Sequence, residues 1–161
     1  MATQNLLQRL DPAAETTGSS VNASDRRIEE VFVASEAITA GDLVCLDLSQ
    51  SDDSDKALFV KKLTATAVSN LCVGVAIAAA AEGENVRVCI RGMISANVTT
   101  GVAQGDRLTA SSTSGRAEKY ADVSIDEGGS ATKTVVFKPI VAFAVGAESG
   151  NFATVYVYPQ F

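Results

Sequence analysis

The stretch Val86-Arg87-Val88-Cys89-Ile90-Arg91 decides the fold class. Val86, Val88 and Ile90 alternate with Arg87, Cys89 and Arg91, and a period of two marks a half-buried β-strand. Working outward, Val31-Phe32-Val33 and the runs 43–48, 58–63, 134–137 and 153–158 are short and apolar. Turn residues separate them: Gly41-Asp42, Glu82-Gly83-Glu84-Asn85, Gly105-Asp106, Gly128-Gly129 and Ser149-Gly150-Asn151. Short strands with frequent turn signals predict an all-β fold, a small β-barrel or sandwich. The alanines at 78–81 are compatible with a single helical turn.

Two elements recur in the same order. Ile38-Thr39-Ala40-Gly41-Asp42-Leu43-Val44 is echoed 64 residues later by Val102-Ala103-Gln104-Gly105-Asp106-Arg107-Leu108. Val73-Gly74-Val75-Ala76, followed by the turn at Gly83 and a strand, is echoed by Ile140-Val141-Ala142-Phe143, the turn at Gly150 and a strand. Glycine at these turns supplies a backbone angle that other residues resist. The expectation is one β-domain over residues 31–161, built from two similar halves at about 31–95 and 96–161.

Residues 1–30 read differently. Leu6, Leu7 and Leu10 are their main apolar cluster, and the stretch that follows is rich in Ala, Thr, Ser and Gly. Such a segment buries too little apolar surface to offset its ordering entropy. It is expected to be an extended N-terminal arm, reaching about 100 Å when fully stretched. Leu6, Leu7, Arg9 and Leu10 suggest a docking role, because a passive tail has no use for three leucines. Arg26 and Arg27, just before the first strand, are placed to pair with acidic groups on a partner, or are simply solvated.

Composition narrows the function. Among 161 residues, Ala accounts for 25 and Val for 19, so the core is made of small and β-branched side chains. There is no His. That removes Ser-His-Asp and Cys-His nucleophilic arrangements and His-based metal sites. It also removes the residue that most often moves protons near neutral pH. A net charge of −6 argues against a nucleic-acid partner, which needs clustered Lys and Arg. Cys45, Cys72 and Cys89 have no CxxC spacing and are expected to be buried, reduced thiols. The longest apolar stretch, 71–81, is too short to span a bilayer, and no conventional export signal is visible. No membrane association and cytoplasmic synthesis are therefore expected.

Candidate sites for small ligands are weak. Asp47, Asp52, Asp53 and Asp55 could hold a cation, but they lack the Gly and Glu of a calcium loop. A solvated acidic loop is the expectation. Gly101 to Gly105 is not followed by the Gly-Lys-Ser/Thr of a phosphate loop. Gly105-Asp106-Arg107 is shared with trimeric nucleotide hydrolases of the dUTPase type, whose remaining motifs are missing. Asn22-Ala23-Ser24 and Asn97-Val98-Thr99 match the glycosylation sequon, which carries no weight without secretion. The expectation is no enzyme, no cofactor and no metal.

Residues 37–44 together with 73–92 resemble the small head-decoration, or cement, proteins of tailed bacteriophages, and 101–158 repeats the pattern in weaker form. The resemblance implies a compact β-domain on the outside of an icosahedral head, binding the major capsid protein. It also implies a homotrimer whose N-terminal arm grips neighbouring capsid subunits. The loop 50–56 and the segment 120–133 are insertions relative to the shortest members. A second reading is a β-domain that binds a host surface molecule. Its best candidates are Phe152, Tyr156, Tyr158 and Phe161, which equally suit strand packing or a subunit interface.

Overall fold

A computed structural model describes residues 27–65, 71–121 and 139–158. Most of the expected arm, the run 134–137 and Phe161 lie outside the described residues. The strands are β1 (Ile28–Ala34), β2 (Leu43–Leu46), β3 (Phe59–Lys62), β4 (Cys72–Ala76), β5 (Asn85–Asn97), β6 (Arg107–Ala110), β7 (Ala117–Lys119), β8 (Ala142–Ala144) and β9 (Phe152–Val157). One helical turn, α1 (Asp53–Lys56), interrupts the β2–β3 loop.

The strand order β1-β3-β2-β4-β5 closes on itself, because β5 also pairs with β1. In this ring β1 and β3 are parallel, and every other pair is antiparallel. The C-terminal part of β5 then starts a second ring, β5-β9-β8-β6-β7. This ring closes through a parallel bridge from Val98 to Ala117. The two rings share one topology, strand for strand: β1, β2, β3, β4 and β5 of the first correspond to the end of β5, β6, β7, β8 and β9 of the second. The all-β expectation of two similar halves is what the chain adopts, and the 13-residue strand β5 belongs to both.

The correspondence extends to single hydrogen bonds. Gly41 N–H donates to Ala76 O at 2.8 Å, and Gly105 N–H to Ala144 O at 2.8 Å. Ala76 N–H returns to Asp42 O, and Ala144 N–H to Asp106 O. Ala34 N–H reaches Glu84 O, and Val98 N–H reaches Asn151 O. In both turns the Asp carboxylate accepts from the backbone N–H three residues earlier, Thr39 at 2.9 Å and Ala103 at 2.8 Å. Gly41 and Gly105 take φ of 89° and 88°, in the left-handed region that favours glycine.

Two apolar clusters follow from the rings. Phe32, Ala34, Ile38, Val44, Val60, Val73, Val86 and Val88 fill the first barrel. The second cluster joins the interior of the second barrel, including Val98, Leu108, Val141 and Val155, to the outer wall of the first, including Leu43, Cys45, Val75 and Cys89. Strands β2, β4 and β5 are therefore buried on both faces where they meet the second half.

Strand β5 changes phase partway along. Its pairing with β1 slips by one residue between Ile28 and Glu29, so Ile90 is an extra residue on the β5 side. Gly92, at φ 119°, follows. Val86 and Val88 point into the first barrel, and Ile94 and Ala96 into the second.

One expectation is corrected. Residues 78–81 form no helical turn, because Ala80 exchanges backbone hydrogen bonds with Ile38 at 2.9 and 3.0 Å, which fixes an extended conformation. Cys89 is buried, as expected; it lies on the side of the alternating stretch shared with Arg87 and Arg91, and the second half covers that side. The 50–56 loop contains α1, with Asp53 and Asp55 in its first turn.

Candidate interaction surfaces

Leu6, Leu7, Arg9, Leu10 and Arg26 lie outside the described residues. Arg27 is placed where the chain enters β1. Its Nη2 sits 3.1 Å from Glu29 Oε1, and Glu29 also binds Arg87. The Arg27 Nε is buried and has no hydrogen-bond partner. The side chain lines a groove of about 340 Å³ between the two halves, with Gly41, Ile77, Ile94, Ser95 and Phe152. The described chain thus enters β1 beside the junction of the two rings.

The residues that make this junction carry no binding signal in the sequence. Asp42, which is buried, accepts from Thr39 Oγ1 at 2.8 Å and from Asn97 Nδ2 at 2.7 Å. Asn97 N–H donates to Gly41 O. The β6–β7 loop of the second half presses on the same place: Leu43 N–H donates to Gly115 O, and Gly115 N–H to Leu63 O. A Cβ on Gly115 would sit 2.8 Å from Asp42 Oδ1. The signal for this was the first Gly-Asp turn itself, but nothing in the sequence says which of two equivalent turns lies inside.

The acidic loop is not uniformly solvated, as expected, but divided. Asp52 and Asp53 are exposed, whereas Asp47 is buried. Asp47 accepts from Lys61 Nζ at 2.8 Å, Ser49 Oγ at 2.7 Å and Gln50 Nε2 at 2.9 Å. Burial opposes its ionisation, but Lys61, Ser49, Gln50 and Ser35 together outweigh it and hold the carboxyl well below the usual carboxylate range. Among the described residues no cluster of acids and thiols has the arrangement of a metal site. Burial pushes the Cys45 thiol up to about 11 and the Cys72 thiol up to about 12, and Cys89 is also raised. These thiols are free, buried and poorly ionised, which makes them inert core side chains. The glycines at 101 and 105 serve tight turns.

Large apolar side chains are exposed at Ile28 and Val31 on β1, at Val145 and Phe152, and in two further groups. On the outer wall of the second barrel, Phe143 is 40% and Tyr156 37% exposed, and they are direct cross-strand partners. Tyr158 stacks on Phe143 with ring centroids 5.3 Å apart, and Arg107 pairs with Phe143 on the next strand. On the β2–β3 loop, Leu48 and Leu58 are 48% and 51% exposed. Among the described residues, no helix is long and apolar enough to cross a membrane.

No protein-family model matches this chain, and no curated protein matches it. Among solved structures, the chain is similar to the N base of the head fibre gp8.5 of bacteriophage phi29. The TM-score is 0.51 at 18% identity, over 81% of this chain and 92% of that one. The two share a fold.

Proposed function

We propose that this chain is a bacteriophage head protein of the decoration, or cement, type. It binds the outer surface of the assembled capsid through the major capsid protein and stabilises the shell. The observation that carries the reading is the fold shared with the base of a phage head fibre, across most of both chains. The sequence pattern at 37–44 and 73–92 points the same way. A ligand that binds the assembled lattice and not the free subunits stabilises the lattice by mass action. A trimer with three arms gains avidity from individually weak contacts. Leu6, Leu7, Arg9 and Leu10 are the arm's contacts to the capsid, with Arg26 and Arg27 at its root. The role is structural, without catalysis, cofactor, nucleic acid or membrane, and its place is the exterior of the virion.

Co-sedimentation with purified heads of the parent phage tests this. The full chain should pellet with heads. A chain lacking residues 1–26 should fold, by circular dichroism, and bind at least about tenfold more weakly. Equal binding by the two would remove the arm from the mechanism, and no binding by the full chain would remove the capsid. The exposed Phe143–Tyr156 pair favours the second reading, attachment to a host surface molecule, so intact host cells belong in the same assay.

A further inference from the structure

The two halves present the same wall with opposite fates. In the first half, the cross-strand row Leu43–Val75–Cys89 runs over the outside of the barrel. All three residues are buried, in one cluster with Ala110 and Ala117 of the second half, and the β6–β7 loop lies against them. In the second half, the equivalent row is Arg107–Phe143–Tyr156. All three are exposed, with aromatic Phe143 and Tyr156 where the first row has the smaller Val75 and Cys89. The loop that corresponds to β6–β7 is the β2–β3 loop of the first half. It is also exposed, with Leu48 and Leu58 flanking Asp52 and Asp53. Among the described residues, a wall without its loop and a loop without its wall are left on one chain. Their chemistry matches: the wall has aromatic rings beside Arg107, and the loop has leucines beside carboxylates.

We propose that the wall formed by Arg107, Phe143 and Tyr156 is covered by the β2–β3 loop of a second copy of this chain, in a head-to-tail contact that repeats the packing between its own two halves. Such a contact uses different surfaces on the two copies, so it either closes a ring or runs on as a filament. Rings and leucines that leave water together supply the affinity, and the charges set the register. The proposal stands whether or not the chain binds a capsid.

Sedimentation equilibrium of the full chain tests it with two variants, Phe143→Glu in the wall and Leu58→Glu in the loop. Both residues are substantially exposed, and circular dichroism checks that each variant folds. Wild type should form an oligomer of defined mass. Each variant alone should be monomeric, its dissociation constant raised about 30-fold or more. Mixed in equal amounts, the variants should pair as a dimer, because an intact loop on one meets an intact wall on the other. Should Phe143→Glu fail to fold, Arg107→Glu takes its place, with recovery expected when Asp53→Lys is added. The proposal is overturned by a wild type that stays monomeric at about 100 µM, by a wall variant that assembles like wild type, or by a mixture that stays monomeric. It is also overturned if Leu58→Glu assembles normally while Phe143→Glu does not, since that pattern means wall-to-wall pairing.

Discussion

Gly41-Asp42 and Gly105-Asp106 are one turn used twice, with the same φ at glycine and the same backbone partners. Their surroundings differ. A Cβ on Gly41 would meet Phe152 at 3.1 Å and Asn97 N at 3.3 Å, whereas one on Gly105 would meet nothing within 4 Å. Asp42 is held by Asn97 from the other half, and Asp106 by Lys119 of its own half at 2.8 Å. Local sequence thus specifies the turn, and position in the tandem decides whether it becomes a structural joint or a surface feature. Substitutions at equivalent positions should therefore differ in cost, and the difference measures what the joint contributes.

The largest contrast is expected at Gly74 and its equivalent, Ala142. In the second half, β8 and β9 pair without interruption, Ala142 opposite Val157. In the first half, the extra residue Ile90 ends the β4–β5 ladder at Val75–Cys89. Cys89 O is left so close to Gly74 that a Cβ there would lie 2.2 Å from it. That contact is with backbone and cannot be relieved by a rotamer change. Gly74→Ala should lower unfolding free energy by about 3 kcal/mol or more. Ala142→Gly should cost only about 1 kcal/mol, through backbone entropy. Urea denaturation of both reads the difference, and equal costs would mean that the bulge does not set the glycine requirement.

Next in size is the pair of turn carboxylates. Asp42→Ala leaves Thr39 and Asn97 donors without their acceptor at a buried site, which should cost about 2 kcal/mol. Asp106→Ala removes a contact open to water, where Ala103 N–H can be hydrated and Lys119 needs no partner. Its denaturation midpoint should move distinctly less. Loss of equal size at both would break the distinction between joint and surface turn.

Much of this was legible from the chain alone. Alternation at 86–91 gave a strand, and the paired Gly-Asp turns gave the repeat, because turn geometry and strand period are local properties. The burial of Cys89 was legible from its residue type and apolar neighbours, but what buries it was not, because alternation reports one buried face and here the second half covers the other. Nor were Asn97 and Gly115, the residues that join the halves. Asn97 reads only as part of a glycosylation sequon, and Gly115 sits in a Ser-rich loop that reads as any other. Contacts between repeats depend on how the rings stack, and stacking leaves no period in the sequence. The burial of Asp47 escaped for the same reason, since its partner Lys61 is 14 residues away, on another strand.

The smallest predicted effect separates the two halves by pH. Asp47 in the first half and Asp106 in the second both ionise more readily in the folded chain than in the unfolded one. For Asp47, burial resists this and Lys61, Ser49, Gln50 and Ser35 overcome it. For Asp106, Lys119 and the Ala103 N–H bring it about. A depressed carboxyl contributes stability that is fully present above its unfolded pKa of about 3.9 and is lost as pH falls toward the folded value. Lys61, raised by its bond to Asp47, contributes stability that is lost only at strongly alkaline pH. Asp47→Asn should therefore flatten the fall in stability below about pH 4 while leaving the alkaline limb to other groups. Asp106→Asn should flatten it less, because its ion pair is screened by water. Urea midpoints of the two variants and wild type, measured from neutral to acid pH, give the ranking. If Asp106→Asn had the larger effect, the acid sensitivity of the fold would lie at its surface turn, and burial at the β2–β3 loop would not be what makes Asp47 matter.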